Sequence, residues 1–528
     1  MRKQLTCLFA AGALLVVPGF VFGQSDFTGG GDGVSWEDAA NWSDGIPSGV
    51  NADIEDGFAV TLVTDQSVND LDVVGDQSSG VASLEHTAGT VTSSSWVKVG
   101  GAFEDTTSVG EYNLSGTASV STFVAQIGFL GGTGTLSVSD SASVDASVAM
   151  NIAGGNINAV EVAQNSIATL NISDNATLTV GRLNMGAAGS VATVNQTGGS
   201  LLSSTWVAMS NFGSGMATYN ISGGSLTAND GNIAVGQEGP GELNISGTAV
   251  VLQMSGEGNK LVVGGVDDPG FAQDGMGMLN ITGSLASITC ADFEVAATAG
   301  SEGTVSWTAD ADGITTIVSA DNSELDAGTA RLVLDLSADP ASTTAGTEYL
   351  LVDNGAAVAG TFEGLAEGAT VSIGGENEGT ISYVGGTDGF DIVVTAVGGA
   401  GLIGDFNGDM VVDCDDLDSY IGILNTSAAG QEELNLVGGD MITLEDANFH
   451  IANLVVTTNG IEGTFPGDAD CSGTVDVLGD AFILVGSLGQ SGRNFGQGDF
   501  DFNGTVDVLG DAFILVGNLG MSNESPAP

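Results

Sequence analysis

Leu170-Asn171-Ile172-Ser173, Val194-Asn195-Gln196-Thr197-Gly198, Tyr219-Asn220-Ile221-Ser222-Gly223 and Leu243-Asn244-Ile245-Ser246-Gly247 are four copies of one phrase, a short triplet centred on Asn and closed by a turn residue. Its central Asn recurs after 24, 25 and 24 residues. Further copies are Tyr112-Asn113-Leu114-Ser115-Gly116, Leu136-Ser137-Val138-Ser139 and Leu279-Asn280-Ile281-Thr282-Gly283, and two longer intervals, 34 and 36, read as loop insertions. Between copies a second apolar segment recurs, as Ile233-Ala234-Val235-Gly236 and Leu261-Val262-Val263-Gly264. A fixed period near two dozen residues marks one supersecondary unit stacked on its neighbours. Alternation of period two, with Gly at the corners and no helical period, makes the unit two or three strands. A leucine-rich repeat has a similar period but needs a denser Leu pattern and usually a helical arm. The expected fold is mainly β, a right-handed parallel β-helix over residues 110–302 with the Leu, Ile and Val of each triplet inside. The Asn residues fit either a hydrogen-bonded ladder within a turn or ordinary left-handed turn chemistry.

Composition agrees. Gly is 83 of 528 residues, Pro only 8, and apolar residues are 42%, enough for a buried core. Seven basic residues face 66 acidic ones, a formal net charge of -59. Nucleic-acid binding is excluded, because phosphate neutralisation needs clustered Lys or Arg. A basic patch for anionic lipid is excluded likewise. Cations are the natural partners, and the charge also keeps a large protein soluble.

Residues 1–23 read as a signal peptide: Arg2 and Lys3, a largely apolar stretch over 5–22 broken by Pro18, and cleavage expected after Gly23. No later stretch approaches the ~20 apolar residues of a membrane span, so the mature chain is expected to be secreted, extracellular or on the cell surface. Cys7 leaves with the leader. Of Cys290, Cys414 and Cys471, the last two both sit in acidic loops and are the expected disulfide pair.

Residues 24–109 contain the string WEDAANWSDGIPSGVNADI, with Trp36, Asn41, Trp42, Gly45, Pro47 and Asp53. It resembles the segment that opens the coils of bacterial secreted, autotransporter-passenger-like β-solenoids. Over residues 303–397 the rhythm changes to longer apolar strands, and the run from Gly360 to Val371 resembles the closing segment of such proteins. A β-rich cap is also what an open solenoid end requires.

After Gly401 come oxygen-rich loops. Asp405, Asn407, Asp409, Val411, Asp413 and Asp416 form the first; Asp468, Asp470, Ser472, Thr474, Asp476 and Asp480 another; Asp499, Asp501, Asn503, Thr505, Asp507 and Asp511 the last. Side-chain oxygens at positions one, three and five converge, position seven offers a carbonyl, and Gly at six makes the sharp turn. The first loop departs at six, with Met410. Val412, Val475 and Val506 at position eight plug into a core. Residues 435–446 make a degenerate fourth loop, plugged by Ile442 and closed by Asp446. A helix-like stretch follows each complete loop, through Leu417, Tyr420, Ile421 and Leu424, then Phe482, Val485 and Leu488, then Phe513, Val516 and Leu519. This arrangement resembles two tandem dockerin type I-like, EF-hand-like pairs, residues 401–460 and 461–520, with a tail at 521–528. The resemblance implies calcium as the bound ion and a cohesin-like or cell-surface protein as docking partner. Two departures stand out. Gly479 and Gly510 hold position twelve, with Asp480 and Asp511 one residue later: either the loop is longer or that acid acts otherwise. The partner-reading positions carry Val477-Leu478 and Val508-Leu509, an apolar pair. Phe482 and Phe513 are expected to pack against each other.

Three functions fit. One is a structural or adhesive repeat protein with a calcium-stabilised docking module. A second is a β-helix polysaccharide lyase or glycoside hydrolase, and a third a glycan-binding protein, both taking extracellular polysaccharide. His86 and His450 are the two His, and no nucleophile–base string stands out. No catalytic residue is assigned, and the chain is expected not to be an enzyme.

Overall fold

The computed structural model describes residues 23–75, 80–101, 107–153, 165–187, 189–211, 213, 215–253, 259–268, 271–325, 327–375, 377–399, 404–406, 411–428, 431, 434–458 and 463–522. The expected leader, up to residue 22, lies outside them. The chain divides into two compact units, one ending at Ala396 and one running mainly from Val397.

The first unit is a parallel β-solenoid of about 11 turns. Strands Thr133–Val138, Ile167–Ile172, Val191–Gln196, Met216–Ile221 and Pro240–Ile245 are consecutive members of an 11-stranded parallel sheet. Its register stacks Leu136, Leu170, Val194, Tyr219, Leu243 and Leu279 in one column, and all are buried. The next residue of each strand faces outward, since successive side chains alternate. That column is the Asn series. Asn195 Nδ2 donates to Asn171 Oδ1 (3.1 Å), Asn220 to Asn195 (2.9 Å), Asn244 to Asn220 (2.9 Å) and Asn280 to Asn244 (2.8 Å). The ladder therefore forms on the outer face in mid-strand, and neither turn reading holds.

Each coil is completed by two shorter strands, such as Thr177–Val180 with Leu183–Met185 and Ser225–Ala228 with Ile233–Val235. They stack in parallel on their counterparts in the neighbouring coils. Gly236 and Gly264 close the second apolar phrase with φ of +74° and +87°, and a Cβ there would run into the carbonyls of Met276 and Glu302 in the following coil. Parallel pairing begins with Gln24–Asp26 on Asn51–Ile54 and reaches Ile317–Ser319 on Glu348–Asn354.

Both ends are built differently. At the N-terminal end Trp36, Trp42 and Phe27 form an edge-to-face cluster, with ring centroids 4.6 and 5.2 Å apart, and Trp42 Nε1 donates to the Trp36 carbonyl. Asn41 ties the segment together: its Oδ1 accepts from Gly31 and Gly33 N–H, and its Nδ2 donates to Asp32 and the Ser35 carbonyl. At the other end Glu348–Asn354 pairs antiparallel with Asp391–Gly399, which stops the parallel stacking.

The second unit has one core shared by all its loops, including Leu417, Tyr420, Ile442, Val475, Phe495, Phe502 and Val506. Its helices are α1 (Leu444–Asn453), α2 (Phe482–Ser487) and α3 (Asp511–Asn518), and a 3-10 turn covers Asp416–Tyr420. Cys414 and Cys471 are disulfide-bonded across 57 residues. Asp418 accepts from Asn494 Nδ2 at 2.8 Å, and the rings of Tyr420 and Phe502 lie 5.9 Å apart. The two expected pairs are thus covalently and sterically one body.

Candidate metal centre

Four carboxylates repeat one geometry. Asp416 accepts from the N–H of Phe406 (2.8 Å) and Asp413 (2.9 Å), and Asp446 from Val437 (2.9 Å) and Thr443 (2.7 Å). Asp480 accepts from Asp470 (3.2 Å) and Asp476 (2.7 Å), and Asp511 from Phe500 (2.6 Å) and Asp507 (2.7 Å). Each acid clamps the start of its loop to the ninth position. Asp480 and Asp511 do so from position thirteen, so these two loops are one residue longer. After Asp476 the surplus is absorbed by one π-helical turn, Val477–Ala481, in which Ala481 N–H reaches back to the Asp476 carbonyl. Asp476 and Asp507 also cap that turn: Asp476 accepts from Leu478 and Gly479, Asp507 from Leu509 and Gly510, all at 2.7 Å.

The plug residues work in reciprocal pairs. Val475 exchanges backbone hydrogen bonds with Gly520 and Met521 after α3, while Val506 does so with Gly489 and Gln490 after α2. In the first half Val412 accepts from Val456 after α1, and Ile442 from Asn425. Each loop is therefore pinned by the end of its partner's helix.

Two acid groups result. One oxygen each from Asp468, Asp470 and Asp480 lie within 4.8 Å of one another, and so do oxygens of Asp499, Asp501 and Asp511. Asp468 and Asp499 are fully buried. Burial, with Asp480 nearby, pushes the Asp468 carboxyl up to about 6. Burial, then Asp511 and Asp501, does the same to Asp499. Burial also raises Asp480 and Asp511. Each group can hold a metal ion, whose charge would relieve this repulsion. Gly473 and Gly504, at φ of +86° and +81°, make the sharp turn at position six, and their N–H groups donate to Asp468 and Asp499 at 2.7 Å. Ser472 Oγ donates to the Thr474 carbonyl, and Asn503 accepts from Thr505 N–H and donates to Asp501. In the first loop Asp405, Val411, Asp413 and Asp416 are described, whereas Asn407 and Asp409 lie outside the described residues.

Phe482 and Phe513 do not meet as expected: they are 64% and 66% exposed. These helices are apolar nearly all round, so periodicity alone does not choose the inward face. The Asp480 and Asp511 clamps and the longer loop turn Leu484 and Leu515 inward instead. Leu478, Val485, Leu509 and Val516 join the phenylalanines outside. No known family model, curated protein or solved structure matches the chain.

Proposed function

We propose that this is a secreted structural or adhesive protein, a β-solenoid shaft carrying a calcium-stabilised C-terminal docking module. The observation that carries the reading is the pairing of two Asp triads, each with two buried carboxylates, with an exposed apolar stripe that occurs twice, as Leu478, Phe482 and Val485 and as Leu509, Phe513 and Val516. Exposed apolar clusters of this kind mark protein contact sites. The oxygen-only donor set suits calcium over zinc, which prefers nitrogen and sulfur. Asp468, Asp470, Ser472, Thr474, Asp476 and Asp480 form one proposed ligand loop, Asp499, Asp501, Asn503, Thr505, Asp507 and Asp511 the second, and 405–416 a third. The disulfide supports an oxidising, exported destination. A non-catalytic role is supported by His86 and His450, both buried, the first hydrogen-bonded to Tyr112. Calorimetric titration of the full chain tests the calcium reading. Two or more calcium sites are expected, and Asp468→Ala with Asp499→Ala should remove two of them. An unchanged stoichiometry in the double variant defeats the reading.

A further inference from the structure

On the solenoid flank Arg182 stands out by having no carboxylate partner. Lys98 pairs with Asp70 and Asp72, Lys260 with Glu294, and Arg331 with Glu302 and Glu363, while Arg493 is hydrogen-bonded to Gln490 and Gln497. Among the described residues Arg182 alone of the basic side chains has neither a carboxylate within reach nor a hydrogen bond, in a chain of net charge -59. Its guanidinium carbon lies over the Trp206 ring of the next coil, 5.5 Å from the centroid, within cation–π range. Its Nε is buried without a partner, which leaves the outer edge as the solvent-reaching end. Trp206 is 39% exposed.

The surroundings are polar and incompletely satisfied. Trp206 Nε1 and Asn211 Nδ2 both donate to Asn184 Oδ1, at 3.2 and 3.0 Å, and Asn184 Nδ2 donates to Asn151 Oδ1 at 2.8 Å. Asn211, only 4% exposed, has an Oδ1 with no partner. Gln126, in register with Asn151 and 1% exposed, has both amide atoms unpartnered. These amide atoms are sealed from solvent and form a polar floor beneath the Arg182–Trp206 pair.

We propose that Arg182 and Trp206, held over the buried Asn184 and Asn211, form a binding site for the carboxylate of an acidic saccharide, a uronic-acid unit. Such a unit brings two matching features: a carboxylate for the guanidinium and a C–H face for the exposed indole. The site belongs to the first unit and the acid triads to the second, and it does not depend on the calcium reading. The overall negative charge repels the ligand at long range, whereas the contact pair is much shorter than a Debye length. Affinity should therefore rise as salt goes from ~0.01 M to ~0.15 M, where the Debye length falls from ~30 to ~8 Å, opposite to an ordinary ion pair.

The test is titration of the full chain, at fixed calcium, with a glucuronic-acid tetrasaccharide and its methyl ester. The free acid should bind, and the ester roughly tenfold or more weaker, the equivalent of losing a charge-assisted contact. Arg182→Gln should weaken the acid by a similar factor, and Arg182→Lys should not restore it fully, since the fork is lost. Strand signal and thermal midpoint verify that the variants fold. If Arg182→Gln fails to fold, the acid–ester comparison on the unaltered chain decides alone. The proposal is overturned by no binding at millimolar tetrasaccharide, by equal affinity for acid and ester, by an intact Arg182→Gln variant that binds as well, by tighter binding of a glutamate peptide, or by acetate competing at equal concentration.

Discussion

His450 shows how a single residue can make folding depend on acid. It is buried on α1 against Phe406 and Tyr420, with both ring nitrogens unpartnered, and burial pushes its pKa down to about 4. Above pH ~6.5 the ring is neutral in both folded and unfolded chains. Below that, the unfolded chain takes up a proton that the folded one refuses, so stability falls until about pH 4, by about 3 kcal/mol in all. The buried Asp468 and Asp499 titrate in the opposite sense in metal-free protein: their raised pKa stabilises the fold in acid, an advantage lost as pH rises through about 6. Denaturant midpoints of the chain and of His450→Leu, compared from pH 7.5 to 4, isolate the His contribution, and the variant should show the shallower acid loss. At the clamp, Asp511→Asn turns an acceptor of two or three N–H groups into a partial donor and should cost roughly 1–3 kcal/mol of C-terminal stability, read from thermal unfolding. The sequence shows the clamp acid but not its role. One-residue displacement of Asp480 and Asp511 is visible in the letters, whereas the π turn that absorbs it is a backbone event with no residue signature.

At the scale of elements, the coil was legible because its constraint is strictly periodic. An inward apolar residue and an outward Asn, repeated every 24 or 25 residues, have to stack once the strands pair in register. Where the Asn sits was not legible, since Asn-Ile-Ser-Gly reads equally well as a turn. It is the alternation around Leu170 and Ile172, both inward, that puts Asn171 on the outer face. Asn220 receives a ladder hydrogen bond from Asn244 and donates one to Asn195, so Asn220→Ala should destabilise the shaft by about 1 kcal/mol, small because the ladder is half exposed. The helices of the second unit were harder to orient. In Ala481-Phe482-Ile483-Leu484-Val485 every face is apolar, and only the clamp decides that Leu484 goes in and Phe482 out. The disulfide operates at this scale too. Closing 57 residues removes unfolded-state entropy worth about 4 kcal/mol in the chain-entropy account. Cys414→Ser with Cys471→Ser should lower the midpoint of the second unit measurably and leave the shaft's unchanged.

The two units differ in what holds them. In the solenoid each coil is supported by its neighbours through continuous apolar columns, so its stability grows coil by coil. The second unit has short helices, of 10, 6 and 8 residues, which are marginal alone. Their positions are set by clamps and plugs inside loops that bring three carboxylates within 4.8 Å. Without a cation that repulsion opposes the fold, and with one, binding free energy becomes folding free energy. A chain of this kind should not melt in one step. Scanning calorimetry is expected to show two transitions, and only the one belonging to residues 404–522 should move with calcium. Saturation at a hundredfold over the dissociation constant adds about 2.7 kcal/mol per site, so two sites shift it by many degrees, while the shaft transition stays in place. Chelation should also speed amide exchange at Val475, Val506 and the turns that grip them, leaving the column through Leu170 and Leu243 protected. Reduction of the disulfide separates the two sources of stability: its loss lowers the same transition by an amount that calcium partly recovers. If the calcium-dependent shift appears in the shaft transition, or in neither, the acid triads are not the sites that hold the second unit together.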